Sequence, residues 1–222
     1  QGYSSAASDV YKRQVFAVYA RELPGGDSET LVGITLGIYG LTQGLLQIPF
    51  GVASDRLGRK PVIIFGLIIF ALGSFLAASG ANIWIVMLGR MLQGAGAISA
   101  AVTAFIADSV RVQVLTKAMA MVGASIGLTF ALSLLISPPL TKLWGVSGLF
   151  TLTGISALIA VLVVKFVVPP APQSAIDEKN EHRSWRKVVC DPQLVRLNIG
   201  IFVLHAVLTA IFVVIPTPVS YT

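Results

Sequence analysis

The charged residues that could do chemistry cluster in one string of this 222-residue chain, Gly51-Val-Ala-Ser-Asp-Arg-Leu-Gly-Arg-Lys-Pro61. One carboxylate, Asp55, stands there beside three cations, Arg56, Arg59 and Lys60. An excess of cations holds a loop at the cytoplasmic surface of a membrane. By its charges alone, the string therefore predicts a basic anchor.

A second charge stands alone inside an apolar block. Arg90 is the only charged residue between Ile83 and Ala107, and it would lie about 10 Å along a helix from Ile83. A charge near the bilayer centre costs at least about 2.5 kcal/mol, so such a residue usually faces a polar cavity or a partner. The alternative is an arginine whose side chain reaches the outer surface. A small, polar face follows it at helical spacing, formed by Gln93, Gly94, Ala97 and Ala101.

A third pattern, Gly123-Ala-Ser-Ile-Gly127, fits the Gly-x-Ser-x-Gly string of serine hydrolases, and His205 could act as its base. A nucleophile elbow requires a strained strand-to-helix turn, whereas Ser125 lies within a continuous apolar run. An intramembrane serine hydrolase is therefore the weaker alternative. Glycine pairs four residues apart instead predict close helix packing, here at Gly33 and Gly37, Gly40 and Gly44, and Gly123 and Gly127.

These residues belong to a chain that is too apolar for a soluble domain. It is 55% hydrophobic and 12% charged, with a mean hydropathy of +0.82, whereas soluble domains carry about 25% charged residues. The blocks do not alternate as barrel strands do, and about 20 apolar residues suffice for a spanning helix. The blocks are Leu31–Ala53, Pro61–Gly80, Ile83–Ala107, Ala118–Leu140, Gly148–Val168 and Leu197–Pro216. We predict an all-α, polytopic membrane protein, which excludes nucleic-acid binding as the reason for the net charge of +6.

The basic residues indicate the orientation in the membrane. The segments 54–60, 108–117 and 165–196 contain eleven of the sixteen Lys and Arg residues, whereas 21–30 and 141–147 contain one each. Cytoplasmic loops are enriched in Lys and Arg, so we expect the first three segments in the cytoplasm. Within the last of them, Ser184-Trp-Arg-Lys-Val-Val189 predicts either a short amphipathic helix on the membrane surface or a plain charged loop.

The string from Gly51 to Pro61 resembles the signature loop of the major facilitator superfamily, Gly-x-x-x-Asp-Arg-x-Gly-Arg-Lys, which joins that family's second and third helices. Leu88-Gly-Arg-Met-Leu-Gln-Gly-Ala-Gly-Ala97 resembles the family's fourth-helix motif. Gly123-x-x-x-Gly127 through Ser137-Pro138 resembles the fifth-helix motif of its drug:proton antiporter branch, with Ser137 in place of the usual glycine.

The resemblance implies a partial major facilitator fold. Residues 15–168 would form the N-terminal bundle, from the end of helix 1 to helix 6. Residues 169–196 would form the cytoplasmic linker, and 197–216 helix 7, the first helix of the C-terminal bundle. Residues 1–14 and 217–222 look like translated sequencing adaptors. We therefore expect both ends to be non-native and the chain to be a fragment that is inactive by itself.

The resemblance also implies a carrier in the bacterial cytoplasmic (inner) membrane, not an enzyme. It would move a small molecule through the lipid bilayer by alternating access, with proton-coupled export as the expected mode. No metal and no other cofactor is expected. The complete spans contain no carboxylate, so an acidic proton carrier would have to lie in other helices. A membrane scaffold or sensor with a transporter fold is the alternative.

Individual residues receive expected roles from the resemblance, including an ion pair between Asp108 and Arg59. The cytoplasmic latch would comprise Gly51, Asp55, Arg56, Gly58, Arg59, Lys60 and Asp108. The coupling site and cavity wall would comprise Arg90, Gln93, Gly94, Gln43 and Gln47, and the fifth-helix motif Gly123, Gly127 and Pro138. From the residues alone, Gln43 and Gln47 could equally line a cavity or bond neighbouring helices.

Overall fold

The computed structural model describes residues 23–25, 28–96 and 98–169, and eight isolated positions between 192 and 207. The long described segments form five helices and contain no strand. They are α1 (Glu29–Leu57), α2 (Arg59–Ser79), α3 (Ile83–Ala95), α4 (Ser99–Ser109) and α5 (Val112–Phe166). Among the described residues, five stretches are long and apolar enough to cross a membrane: Thr30–Leu57, Arg59–Ser79, Ile83–Ser109, Val112–Ser137 and Pro139–Phe166. The prediction of an all-α, polytopic membrane bundle is confirmed.

Capping residues set where the helices begin. The Ser28 hydroxyl accepts a hydrogen bond from the Leu31 amide at the start of α1 (3.4 Å). The Asn82 side chain accepts one from the Ile85 amide at the start of α3 (3.0 Å). Each bond satisfies an amide that a helix N-terminus leaves without an intrahelical partner. Short polar turns between apolar blocks therefore fix these two helix starts.

The first hairpin is tighter than the sequence suggested. Gly58 alone separates α1 from α2, with φ 93° and ψ 147°, in a region that favours glycine because it has no Cβ. Segment 54–60, which we expected to be a cytoplasmic loop, is therefore helical apart from Gly58, because both helices continue past the apolar blocks into the charged residues. Pro61 is the third residue of α2.

The block Ile83–Ala107 is not one continuous helix. α3 ends at Ala95 and α4 begins at Ser99. At the break, the Gly96 amide donates to the carbonyls of both Leu92 (3.2 Å) and Gln93 (3.1 Å). A break within a span is tolerated where the backbone is buried in protein, and Gly96 is buried. α2 lies against this point, since a Cβ on Gly96 would come 2.7 Å from the Gly66 carbonyl oxygen.

α2 lies at the centre of the packing and crosses α3 backbone to backbone. A Cβ on Gly73 would come 2.6 Å from the Gln93 amide nitrogen, and one on Gly89 would come 2.6 Å from the Ala77 amide nitrogen. Small residues allow this approach, which favours association of helices within a bilayer. Apolar clusters extend the contact towards both ends of α2, one around Ala77, Val86, Val146 and Phe150 and the other around Val62, Ile63 and Ala101.

α5 combines the fourth and fifth blocks, Ala118–Leu140 and Gly148–Val168. It is interrupted at Gly145, whose φ of 66° and ψ of −177° are not helical, so only this residue of the expected connection 141–147 departs from helical geometry. α5 also begins at Val112, which shortens the expected cytoplasmic loop 108–117. In both places helical hydrogen bonding continues beyond the apolar stretch. No described side chain in Val112–Ser137 is buried, whereas residues after Gly145 pack on α2.

The glycine pairs proposed for close packing are not where the described helices meet. Nothing lies within 4 Å of a Cβ built on the members of these pairs, Gly33, Gly37, Gly40, Gly44, Gly123 and Gly127. Among the described residues, these glycines therefore face open space. The close approaches use Gly66, Gly73, Gly89, Gly94 and Gly96 instead.

The chain divides into two compact units, Val15–Gln173 and a second unit of Gln1–Gln14 with Ser174–Thr222. Within the predicted helix 197–216, the described positions are helical; they are Ile199, Gly200, Val203 and Val207. The remaining expectations for the ends fall outside the described residues. These concern residues 1–14, the amphipathic segment 184–189, His205 and residues 217–222.

Candidate functional sites

Arg59 is the centre of a charged cluster at the α1–α2 turn. It is the first residue of α2, and its Nε donates to Asp108 Oδ2 on α4 at 2.8 Å. Its Nη1 forms an ion pair with Asp55 Oδ1 in the last turn of α1. The relative exposure of the side chains is 18% for Arg59, 30% for Asp108 and 60% for Asp55. One guanidinium thus joins the ends of three helices.

Ser54 is a further member of this cluster, and sequence reasoning assigned it no role. Its Oγ accepts a hydrogen bond from Arg59 Nη1 at 2.8 Å and donates one to the Gly51 carbonyl at 2.7 Å. Ser54 is 1% exposed. Gly51 lies beside α4, because a Cβ there would be 3.8 Å from the Ala100 Cβ. The location of Ser54 inside the signature string was the only signal in the sequence.

The other two cations of the string behave differently from each other. Arg56 is exposed. Lys60 reaches the end of α5, where its Nζ donates to the carbonyls of Lys165 (3.0 Å) and Val168 (2.7 Å). The last carbonyls of a helix have no intrahelical donor, and a cation there is favoured by the helix dipole. Lys60 therefore caps the C-terminal end of α5, a contact that no local pattern could have indicated.

Arg90 lies within α3 and turns towards α1. Its Cζ sits 4.6 Å from the centroid of the Tyr39 ring, a cation–π arrangement. Its Nη1 donates to Gln93 Oε1 at 3.0 Å. Its Nε is buried and finds no hydrogen-bond partner among the described residues. The structure therefore gives Arg90 two partners inside the bundle rather than at the outer surface.

Gln93 connects Arg90 to α2 and is 3% exposed. Its Nε2 donates to Ser74 Oγ at 2.8 Å, and the Ser74 hydroxyl donates in turn to the Phe70 carbonyl. Gly94 is the residue that lets α1 approach, because a Cβ there would collide with the Tyr39 carbonyl oxygen. The predicted coupling residues Arg90, Gln93 and Gly94 thus occupy one site, to which α1 and α2 also contribute.

The two glutamines of α1 differ. Gln47 Oε1 accepts a hydrogen bond from the Ser99 hydroxyl at the start of α4 (3.3 Å), so Gln47 bonds a neighbouring helix. Gln43 is half-buried. It lies 14 residues from each end of α1, about 21 Å along the helix axis in either direction. Gln43 is therefore the member of this pair that lies at mid-depth.

Gly123 and Gly127 of the fifth-helix motif lie on the exposed part of α5, and Pro138 lies further along the same helix. Ser125 is in a regular helix and its hydroxyl donates to the Val122 carbonyl (2.8 Å). One and two turns later, the hydroxyls of Thr129 and Ser133 donate to the carbonyls of Ser125 and Thr129 (both 2.8 Å). These hydroxyls line an open groove of about 380 Å³. No strand-to-helix turn surrounds Ser125, so the geometry that a hydrolase elbow requires is not present there.

Comparison with known proteins agrees with this architecture. A sequence model of the Major Facilitator Superfamily matches residues 19–221. The inner membrane transport protein YajR of Escherichia coli is 45% identical over 204 residues, which are 91% of this chain and 45% of the relative. An uncharacterized transporter of Buchnera aphidicola is 34% identical over 91% of the chain and 52% of its own length. The class B tetracycline resistance protein of Escherichia coli is 37% identical over 43% of the chain and 24% of its own length.

The chain thus spans about half the length of the relatives that it matches along most of its sequence. The family match, the five spans and the similarity to an inner membrane protein all point to the same class. The chain belongs to the Major Facilitator Superfamily and is an integral protein of the bacterial inner membrane.

Proposed function

We propose that this chain forms one half of a carrier that moves a small molecule by alternating access, and that a proton gradient drives export. In such carriers the substrate site lies near the bilayer midplane between two bundles, which rock around it. The described spans would supply one wall of that site. A second bundle, corresponding to the other half of the longer relatives, would supply the opposite wall.

The observation that carries this proposal is the Arg90 cluster. A guanidinium in a spanning helix is costly, and such residues typically mark substrate, ion or proton paths. Arg90 is held by Tyr39 and Gln93, which a residue serving only to anchor a helix would not need. Its Nε still has no acceptor among the described residues. We assign Arg90 the coupling role and Gln43 a place on the cavity wall.

The Arg59 cluster would be the cytoplasmic latch. It joins α1, α2 and α4 through Asp55 and Asp108. Asp55 remains 60% exposed, so its carboxylate has room for a second partner. Loss of these contacts would favour the inward-open state, because they restrain the cytoplasmic ends of the helices. A simple basic anchor would not require the paired carboxylates.

The similarity to transporters supports a small organic substrate. One relative is named an inner membrane transport protein and another a tetracycline resistance protein. Tetracycline is therefore a reasonable first transport probe. Proton coupling rests on the Arg90 site, and its test needs no identified substrate.

Alternating access can be tested by labelling Gln43→Cys with an impermeant thiol reagent. The protein would be this chain joined to the second half of the Escherichia coli relative, without other cysteines. If the protein is a carrier, Gln43→Cys should be labelled in both right-side-out and inside-out vesicles. Leu45→Cys, near the same depth on the same helix but 68% exposed, is the matched control. Leu45 lies about 200° around α1 from Gln43, so if Gln43 faces the cavity, Leu45→Cys should react from neither side.

Proton coupling predicts that an imposed pH gradient changes the ratio of outside to inside labelling at Gln43→Cys. Arg90→Gln should remove this response while Gln43→Cys remains reactive. A scaffold or sensor would give reactivity from one side only, or from none, and that result would refute the carrier. If the pH gradient does not change the ratio of outside to inside labelling, the protein is a carrier without proton coupling.

A further inference from the structure

We propose that Ser54 is the positioning residue that orients Arg59 towards Asp108, and that the Asp55 ion pair is secondary. The importance of this orientation for transport rests on the latch role proposed above. The geometry itself can be tested without transport.

Burial distinguishes the two α1 partners of Arg59. Asp55 is 60% exposed, so water and salt screen its ion pair with Arg59. Ser54 is 1% exposed, and its oxygen accepts from the same Nη1 at 2.8 Å in a water-poor environment. A hydrogen bond to a charged group is strengthened there. The hydroxyl is thus the better restrained partner.

The direction of the hydrogen bonds adds a second constraint. The single hydroxyl proton of Ser54 is donated to the Gly51 carbonyl at 2.7 Å, which leaves the oxygen to act as an acceptor. A guanidinium only donates. Nη1 therefore meets a lone pair fixed to the α1 backbone, while Nε points to Asp108 at 2.8 Å. Two fixed acceptors on different helices determine the plane of the Arg59 guanidinium.

The experiment is hydrogen exchange of the Arg59 Nε–H in the full 222-residue chain, labelled with ¹⁵N-arginine and held in lipid nanodiscs. Arg59→Lys identifies the signal by its disappearance. Ser54→Ala removes the bond to Nη1, so the guanidinium can turn and Nε can leave Asp108. Exchange of the Nε–H should then accelerate about tenfold, the factor that corresponds to one lost hydrogen bond to a charged group. Asp55→Asn should accelerate it less than about twofold, as for a screened surface pair.

Two further variants separate positioning from general damage. Ser54→Thr keeps the hydroxyl and should restore slow exchange, and Ser54→Cys, a weaker acceptor, should fall between wild type and Ser54→Ala. Ser109→Ala removes an exposed hydroxyl next to Asp108, one that donates to the Phe105 carbonyl. It should exchange like wild type.

Wild-type exchange in Ser54→Ala, or a larger effect of Asp55→Asn, would overturn the assignment. If Ser54→Ala loses helical circular dichroism, the comparison of Ser54→Thr with Ser54→Cys decides, and equal exchange in those two would also overturn it. None of these results depends on substrate movement. Failure of this assignment is therefore distinguishable from failure of the carrier proposal, which is decided by labelling at Gln43.

Discussion

The crossing of α2 and α3 makes a quantitative prediction about stability. Gly89→Ala would place a Cβ 2.6 Å from the Ala77 amide nitrogen and 2.7 Å from the Gly73 carbonyl oxygen. Both are backbone atoms, so neither can rotate away and the two helices must separate. Overpacking of this kind costs about 1–3 kcal/mol, and a contact with backbone belongs at the upper end. The better helix propensity of alanine returns about 1 kcal/mol. We expect a net loss of about 2 kcal/mol.

Gly127→Ala is the matched control, with the opposite expected sign. Nothing lies within 4 Å of a Cβ at Gly127 in the described structure. Only helix propensity should then change, and it favours alanine by up to about 1 kcal/mol. The two identical substitutions should therefore differ by about 3 kcal/mol.

The assay is unfolding of the 222-residue chain in mixed micelles, titrated with dodecyl sulfate and followed by tryptophan fluorescence. Gly89→Ala should unfold at a lower mole fraction of the detergent than wild type, and Gly127→Ala at the same or a higher one. Equal midpoints for Gly89→Ala and Gly127→Ala would refute the backbone crossing described for α2 and α3.

Three further predictions concern the charged residues at the cytoplasmic side and the orientation of the chain in the membrane. In the chain joined to the second half of the Escherichia coli relative, Asp108→Asn should weaken the closed cytoplasmic side by about 1–2 kcal/mol, between the values for surface and buried pairs, and Asp55→Asn by less than about 1 kcal/mol. Labelling of Gln43→Cys from the cytoplasmic side should therefore increase more in Asp108→Asn than in Asp55→Asn. A larger increase in Asp55→Asn would contradict the geometry. Lys60→Met should speed amide exchange in the last turn of α5, where its two bonds to carbonyls are lost, while Lys60→Arg should not; mass spectrometry of that peptide measures it. Finally, Ala81→Cys should react with an impermeant thiol reagent from outside and Leu57→Cys from the cytoplasm, and the opposite pattern would reverse the orientation.

The membrane spans could be predicted from the sequence because crossing hydrocarbon imposes a length that composition reveals. The ends of the spans could not be predicted in the same way. Charged residues such as Asp55 and Arg59 continue helical hydrogen bonding outside the apolar stretch, so only Gly58 is left for the turn. Hydropathy records where a helix leaves lipid, and not where its hydrogen bonding stops.

Glycines show the same limit at the level of packing. The spacing of Gly123 and Gly127 is typical of close helix contacts, yet a Cβ at either position would meet open space among the described residues. Gly73 and Gly89 belong to different helices, and no spacing within one helix relates them. A pattern within a single helix identifies a surface that permits approach, and only the tertiary structure shows which surface is used.

The contacts of the functional residues join positions that lie far apart in the sequence. The Arg59–Asp108 bond joins residues 49 positions apart, and it was expected only through the family resemblance. The bonds of Lys60 to the end of α5 span more than 100 positions and were not expected at all. Ser54 lies inside the signature string, but its role depends on burial and on the direction of its hydroxyl. Sequence spacing carries none of this information.

The electrostatics of Arg90 lead to a requirement for the rest of the proposed carrier. Within residues 28–169 the only carboxylates are Glu29, Asp55 and Asp108, and each lies at or next to a helix end. The partners that the structure gives Arg90 are neutral. They orient the guanidinium but leave its charge uncompensated at a depth where compensation is worth several kcal/mol. A carboxylate in the remaining helices that is charged in either the inward-open or the outward-open state, and protonated in the other, would lower this cost in only one of these states. Binding or release of its proton would then change the balance between the two states, which is the coupling that we propose for this site.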